Sequence, residues 1–93
     1  MILLLLACTT WSEGQVQRGE LNCELLDVCG ELDDLGYADV ASCQEAAAAQ
    51  PFDDADCPDY DAGAMAECLR AYRTAIDAAD CGADLDGVCQ TCG

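Results

Sequence analysis

Histidine and lysine are absent from the chain, serine occurs only as Ser12 and Ser42, and the cations are Arg18, Arg70 and Arg73. Without histidine there is no Ser-His or Cys-His nucleophile pair and no imidazole acting as general acid or base. Three cations against 19 acidic residues, a formal charge of -16, give no basic footprint for phosphate. Nucleic acid is therefore not an expected partner, and an anionic leaflet would repel the same surface. One Phe and one Trp leave little aromatic bulk for a core. No stretch alternates apolar and polar residues for long enough to read as a strand, and no apolar run approaches the roughly 20 residues that span a bilayer.

What the chain has in excess is acid and cysteine. All the acidic residues except Glu13 lie from Glu20 onward, which keeps that region solvated and leaves basic proteins and divalent cations as the partners its charge allows. No ligand can be read from it. Nine cysteines in 93 residues match the density of the disulfide scaffolds of secreted chains. A domain this small buries too little apolar surface to offset an ordering cost of about 1.5 kcal/mol per residue, so covalent staples are expected. Disulfides persist in oxidising compartments, which makes the domain extracytoplasmic.

The chain opens Met1-Ile2-Leu3-Leu4-Leu5-Leu6-Ala7-Cys8. This resembles the tail of a bacterial lipoprotein signal peptide, with Leu5-Leu6-Ala7-Cys8 in the place of the lipobox. The resemblance implies cleavage before Cys8 and a diacylglycerol on its thiol, giving a membrane partner through the lipid anchor. No positive segment precedes the run, and its apolar length is below the usual range of about 7–15 residues, so the true start is expected upstream of Met1. Cysteine parity points the same way, because setting Cys8 aside leaves eight that can pair completely. The division expected is residues 1–7 as signal-peptide remnant, 8–19 as lipidated cysteine and flexible tether, and 20–93 as the folded domain. Trp11, in that tether, could rest at the headgroup level.

Within the domain the pattern is helical. Leu21, Leu25, Val28, Leu32 and Leu35 recur at steps of four and three, which predicts a first helix from about Glu20 to Leu35; Gly36 would end it, or Gly30 would break it near Cys29. A second helix starts at Asp39 or at Ser42, where Ser42-Cys43-Gln44-Glu45 fits a capping box, and stops at Pro51. The longest period lies in Cys57–Gly82, where Ala62, Met65, Leu69, Tyr72 and Ile76 form a core-facing stripe, Pro58 suits the first turn and Gly82 the end. This segment is expected to be the central helix around which the rest is stapled. Glu67 with Arg70, and Arg73 with Asp77, have the spacing of ion pairs along it. The fold class expected is all-α: a small disulfide-rich bundle of three helices with a short C-terminal turn.

Few constellations carry chemistry. Cys89-Gln90-Thr91-Cys92 has the spacing of a thiol-disulfide redox motif, but no strand precedes it and no basic group adjoins it. Cys81, Cys89 and Cys92 have a spacing suggestive of zinc, against which an oxidising compartment favours bridges. Asp53, Asp54, Asp56, Asp59 and Asp61 are weak calcium candidates, as are Asp80, Asp84 and Asp86; neither cluster follows the EF-hand order. The plainer reading of the first cluster is helix capping. No cofactor and no catalytic residue are expected; the chain reads as a binding or structural module, with a calcium-responsive module or a CxxC oxidoreductase as alternatives.

Eight cysteines, Cys23, Cys29, Cys43, Cys57, Cys68, Cys81, Cys89 and Cys92, are expected in four bridges. Cys23 and Cys29 would be about 9 Å apart along one helix, beyond the roughly 7 Å limit on Cα separation, so they should not pair. Cys68 should pair with neither Cys57 nor Cys81 for the same reason. An antiparallel hairpin turning at Tyr37 puts Cys29 and Cys43 at nearly equal height, which predicts a Cys29–Cys43 bridge.

Motifs such as Val28-Cys29-Gly30, Cys57-Pro58-Asp59-Tyr60-Asp61 and Ala66-Glu67-Cys68-Leu69, behind a lipobox-like Cys8, look like the small cysteine-rich lipoproteins of myxobacterial-type genomes. That resemblance implies a location and a style of fold, and no activity that can be carried onto a residue.

Overall fold

A computed structural model of the chain describes residues 10–92. Its helices are α1 (Trp11–Val28), α2 (Val40–Ala48) and α3 (Ala62–Ala78), with single 3₁₀ turns at Asp33–Leu35 and Asp54–Asp56. Among the described residues the sole β-type pairing is an isolated bridge between Tyr60 and Cys92. The chain is thus the small all-α, disulfide-rich fold that its periodicity and cysteine content predict.

The first helix departs most from expectation. It starts at Trp11, so residues 11–19 are helix and not tether. Thr10 and Glu13 form a reciprocal capping box, and the Asp54 carboxylate accepts a further bond from the Ser12 N–H at 2.8 Å, which occupies donors that would otherwise be orphaned. This half of α1 packs through glycines. A Cβ on Gly14 would lie 2.6–2.8 Å from the Met65 side chain, and one on Gly19 would lie 2.9 Å from the Ala47 Cβ. Trp11 stacks edge-on against Phe52, with ring centroids 5.7 Å apart.

The helix ends at Val28, seven residues earlier than its leucine spacing predicts and where the alternative of a break at Gly30 near Cys29 puts it. Gly30 adopts φ +68°, the Glu31 N–H reaches back to the Leu26 carbonyl at 2.8 Å, and the Gly30 N–H bonds Asp27 at 3.0 Å. This is a Schellman closure, available here because glycine has no Cβ penalty in the left-handed region. Leu32 then folds back into the core, whereas Val28 and Leu35, both expected in the apolar stripe, are 47% and 58% exposed.

Asp39 caps α2, accepting from both the Ser42 N–H and the Ser42 hydroxyl. Those two bonds hold its carboxyl below the usual carboxylate range. The Ser42 capping box is therefore not used. In α3 the cap is Asp61, bonded to the Ala64 N–H at 3.0 Å, and Pro58 lies before the helix rather than in its first turn. The helix closes at Ala79, in the left-handed region at φ 50°, and not at Gly82. Its buried face is Met65, Cys68, Leu69, Tyr72 and Ala75; Ala62 is exposed and Ile76 only half-buried.

Both other helices pack on α1, so α1 organises the domain and the Cys57–Gly82 segment does not. One side of α1 contributes Cys23 and Leu26 to a cluster with Leu32, Tyr37, Val40 and Cys43. Another side contributes Leu21 and Leu25 to a cluster with Cys68, Tyr72, Leu85 and Cys89.

Four bridges lock this arrangement: Cys23–Cys43, Cys29–Cys81, Cys57–Cys92 and Cys68–Cys89. Cys29 pairs with Cys81 and not with Cys43. A symmetric hairpin requires helix on both sides of Tyr37, but residues 29–39 contain a glycine closure and a 3₁₀ turn. Cys43 in the first turn of α2 consequently meets Cys23, well inside α1.

Among the described residues there are two ion pairs, Arg18–Asp86 at 3.6 Å and Arg70–Glu67 at 2.8 Å. Most of the carboxylates are therefore uncompensated. Their mutual repulsion is screened beyond about 8 Å at physiological ionic strength, so the melting temperature of the oxidised domain should rise between low and moderate salt. A thermal melt that is flat or falling with salt would contradict this.

Candidate functional site

A groove runs along the flank of α3 and is built by the segment that enters it. The Cys57–Cys92 bridge and a backbone bond from the Asp61 N–H to the Thr91 carbonyl, 2.9 Å, fix the strand-like approach that carries Tyr60. Asp61 then starts α3, placing Met65 and Leu69 one turn apart as a buried floor. Ala62 and Ala66 have too little bulk to fill the flank beside them. What remains is a cavity of about 190 Å³ lined by Tyr60, Ala62, Met65, Ala66, Leu69, Arg70 and Arg73.

Two of the chain's three cations thus border one apolar-floored depression. Arg70 is engaged with Glu67 at 2.8 Å in a pair whose side chains are 68% and 62% exposed, a geometry worth about 0–1 kcal/mol. The i,i+4 pair expected between Arg73 and Asp77 does not form, and Arg73 has no ion pair among the described residues. Burial pushes the Tyr60 phenol above its usual range, and the carboxylates of Asp54, Asp61 and Glu13 add to the shift, so the hydroxyl keeps its proton.

The residues that the sequence offered for chemistry fall elsewhere. Asp53 caps its own 3₁₀ turn through the Ala55 N–H, Asp54 caps α1 and Asp61 caps α3. With Asp56 and Asp59 they do not converge: no group of three or more potential ligands among the described residues is arranged to hold a metal ion. In the second cluster Asp80 bonds the Gly82 N–H and Asp86 pairs with Arg18.

Cys89 and Cys92 are split between two bridges, to Cys68 and Cys57, so the CxxC spacing makes neither a redox disulfide nor a dithiol. Cys81 is bridged to Cys29, which leaves the suggested zinc trio without thiolates. Cys8 lies outside the described residues.

Sequence reasoning missed the groove. Its only signal was the small pair Ala62 and Ala66 beside Arg70 and Arg73 on one helical flank, and both arginines were assigned to ion pairs. Compared with known proteins, the chain matches no family model, no curated sequence and no solved structure.

Proposed function

We propose that the chain is a bacterial lipoprotein of the outer membrane or cell surface, similar in kind to the small cysteine-rich lipoproteins that its motifs resemble. A lipid on Cys8 holds it, and its acidic helical domain acts as a binding or structural module rather than a catalyst. Cysteine parity carries this reading. Eight cysteines are consumed in four bridges, and the ninth directly follows Leu5-Leu6-Ala7. The bridges fit an oxidising compartment, and no helix among the described residues is long and apolar enough to cross a membrane.

Because α1 starts at Trp11, three residues after Cys8, the anchor and the helix start are linked by at most about 11 Å of extended chain. The domain would lie against the membrane instead of standing off it, with the Trp11–Phe52 pair at the proximal end.

The test uses Cys8→Ala. Labelled palmitate should enter the parent and not the variant, which keeps all four bridges. Trp11 is the only tryptophan. Its fluorescence in the native lipidated protein should be quenched by lipids brominated near the headgroup, and the variant's should not. Palmitate entering the variant would overturn the assignment of the anchor. Unquenched Trp11 in a lipidated parent would overturn the close approach.

A further inference from the structure

The geometry points to a ligand for the α3 groove: a small organic acid, with an apolar body of about one aromatic ring seated on Met65 and Leu69 and a carboxylate held by Arg73 and Arg70. The inference does not depend on whether Cys8 carries a lipid.

Size, floor and charge each contribute. A cavity of about 150 Å³ lined by apolar side chains is enough to admit benzene, and this one measures about 190 Å³. Its floor is a thioether and an isobutyl group, both almost fully buried, which between them offer a polar ligand body no donor and only the weak acceptor of the Met65 sulfur. Its lining holds two guanidinium groups and no carboxylate. Three other depressions on the domain each carry at least one acid: Glu13 and Glu20 in one, Glu67, Asp80 and Asp84 in another, and Asp86 in the third.

The Arg pair is also available. Arg70 and Arg73 are three apart, so they project from neighbouring positions on one helical flank, and guanidinium forks match a carboxylate in geometry. A ligand carboxylate would meet Arg73 without displacing anything and would compete with the exposed Glu67 for Arg70. The distant part of the acidic surface is screened beyond about 8 Å at physiological ionic strength, but Glu67 on Arg70 and the carboxylates of Asp54, Asp61 and Glu13 that act on Tyr60 oppose an anion at close range, so the two guanidinium groups must outweigh them.

The test is a titration of the full oxidised chain, ¹⁵N-labelled, with three probes of one shape: 3-phenylpropionate, 3-phenylpropionamide and 3-phenylpropylamine. The carboxylate should shift the amides of Tyr60, Ala66, Arg70 and Arg73 saturably. The amide should bind about tenfold more weakly, the cost of one charge-assisted hydrogen bond, and the amine more weakly still. Arg73→Gln should weaken the carboxylate about tenfold and leave the uncharged probe unchanged, whereas Glu67→Gln, which frees Arg70, should tighten the carboxylate. Both substitutions are at exposed positions, and retention of four bridges by mass confirms folding. Equal binding of the three probes, shifts away from the groove, or no saturable shift at millimolar carboxylate would each overturn the proposal.

Discussion

Replacing Cys68 and Cys89 together with alanine is expected to lower the melting temperature of the oxidised domain by about 12–24 °C. Closing a loop with a sequence separation of 21 removes about 3 kcal/mol of unfolded-chain entropy, and a domain of this size moves by about 4–8 °C per kcal/mol. The sulfurs are also core atoms. Cys68 is fully buried and Cys89 is 7% exposed, in contact with Tyr72, Leu21, Leu25 and Leu85, so their loss removes packing as well as the constraint. Among the described residues the chain beyond α3 has no regular helix of its own, and without this bridge its covalent ties are Cys29–Cys81 and Cys57–Cys92. Thermal melts of parent and variant, each with its bridges verified by mass, check this. A shift of only a few degrees would mean that the bridge merely decorates a core that is stable without it.

Gly14→Leu should destabilise the domain by about 1–3 kcal/mol, because it overpacks the point where the α1 backbone lies against the Met65 side chain of α3. Its first added carbon would already lie 2.6–2.8 Å from the Cε, Sδ and Cγ atoms of Met65, a side chain that is itself 1% exposed. Leucine has a helix propensity about 1 kcal/mol better than glycine, so a mere linker helix would be stabilised by the same change. The sign therefore separates the two cases. Adding Met65→Ala should recover part of the loss, since the two side chains compete for one volume. A Gly14→Leu variant that melts higher than the parent would place residues 11–19 outside the packed domain.

Gly14 also shows why half of α1 was illegible in the sequence. Helices announce themselves by an apolar stripe, and Trp11–Gly19 has none because it packs by bringing its backbone close at Gly14 and Gly19. The rest of α1 buries Cys23 and Leu26 on one side and Leu21 and Leu25 on another, so its period does not resolve into a single face. A local signal was available: Thr10-Trp11-Ser12-Glu13 is a capping box as good as the one read at Ser42. By contrast, α3 packs with one face, and Met65, Leu69 and Tyr72 were readable at their spacing.

Disulfide pairing was legible only as exclusions. Cys23 does not pair with Cys29, which helical rise sets apart from it along α1, and Cys68 pairs with neither Cys57 nor Cys81, although both of these lie outside α3 and helical spacing does not apply to them. The positive assignment failed at Gly30, where the left-handed closure ends α1 at Val28 and removes the symmetry from which Cys29–Cys43 was inferred. The groove was hidden for a different reason: an empty space between small residues leaves no periodic trace.

The claim on which the proposed function depends is that eight cysteines close on themselves and the ninth carries the anchor. Intact mass of the native protein, taken from membranes without reduction, tests it in one measurement. The account predicts a chain beginning at Cys8, heavier by a diacylglyceryl group and its acyl chains, lighter by the hydrogens of four disulfides, and with no thiol open to alkylation. An unmodified Cys8, or any alkylatable thiol among the other eight, would contradict it.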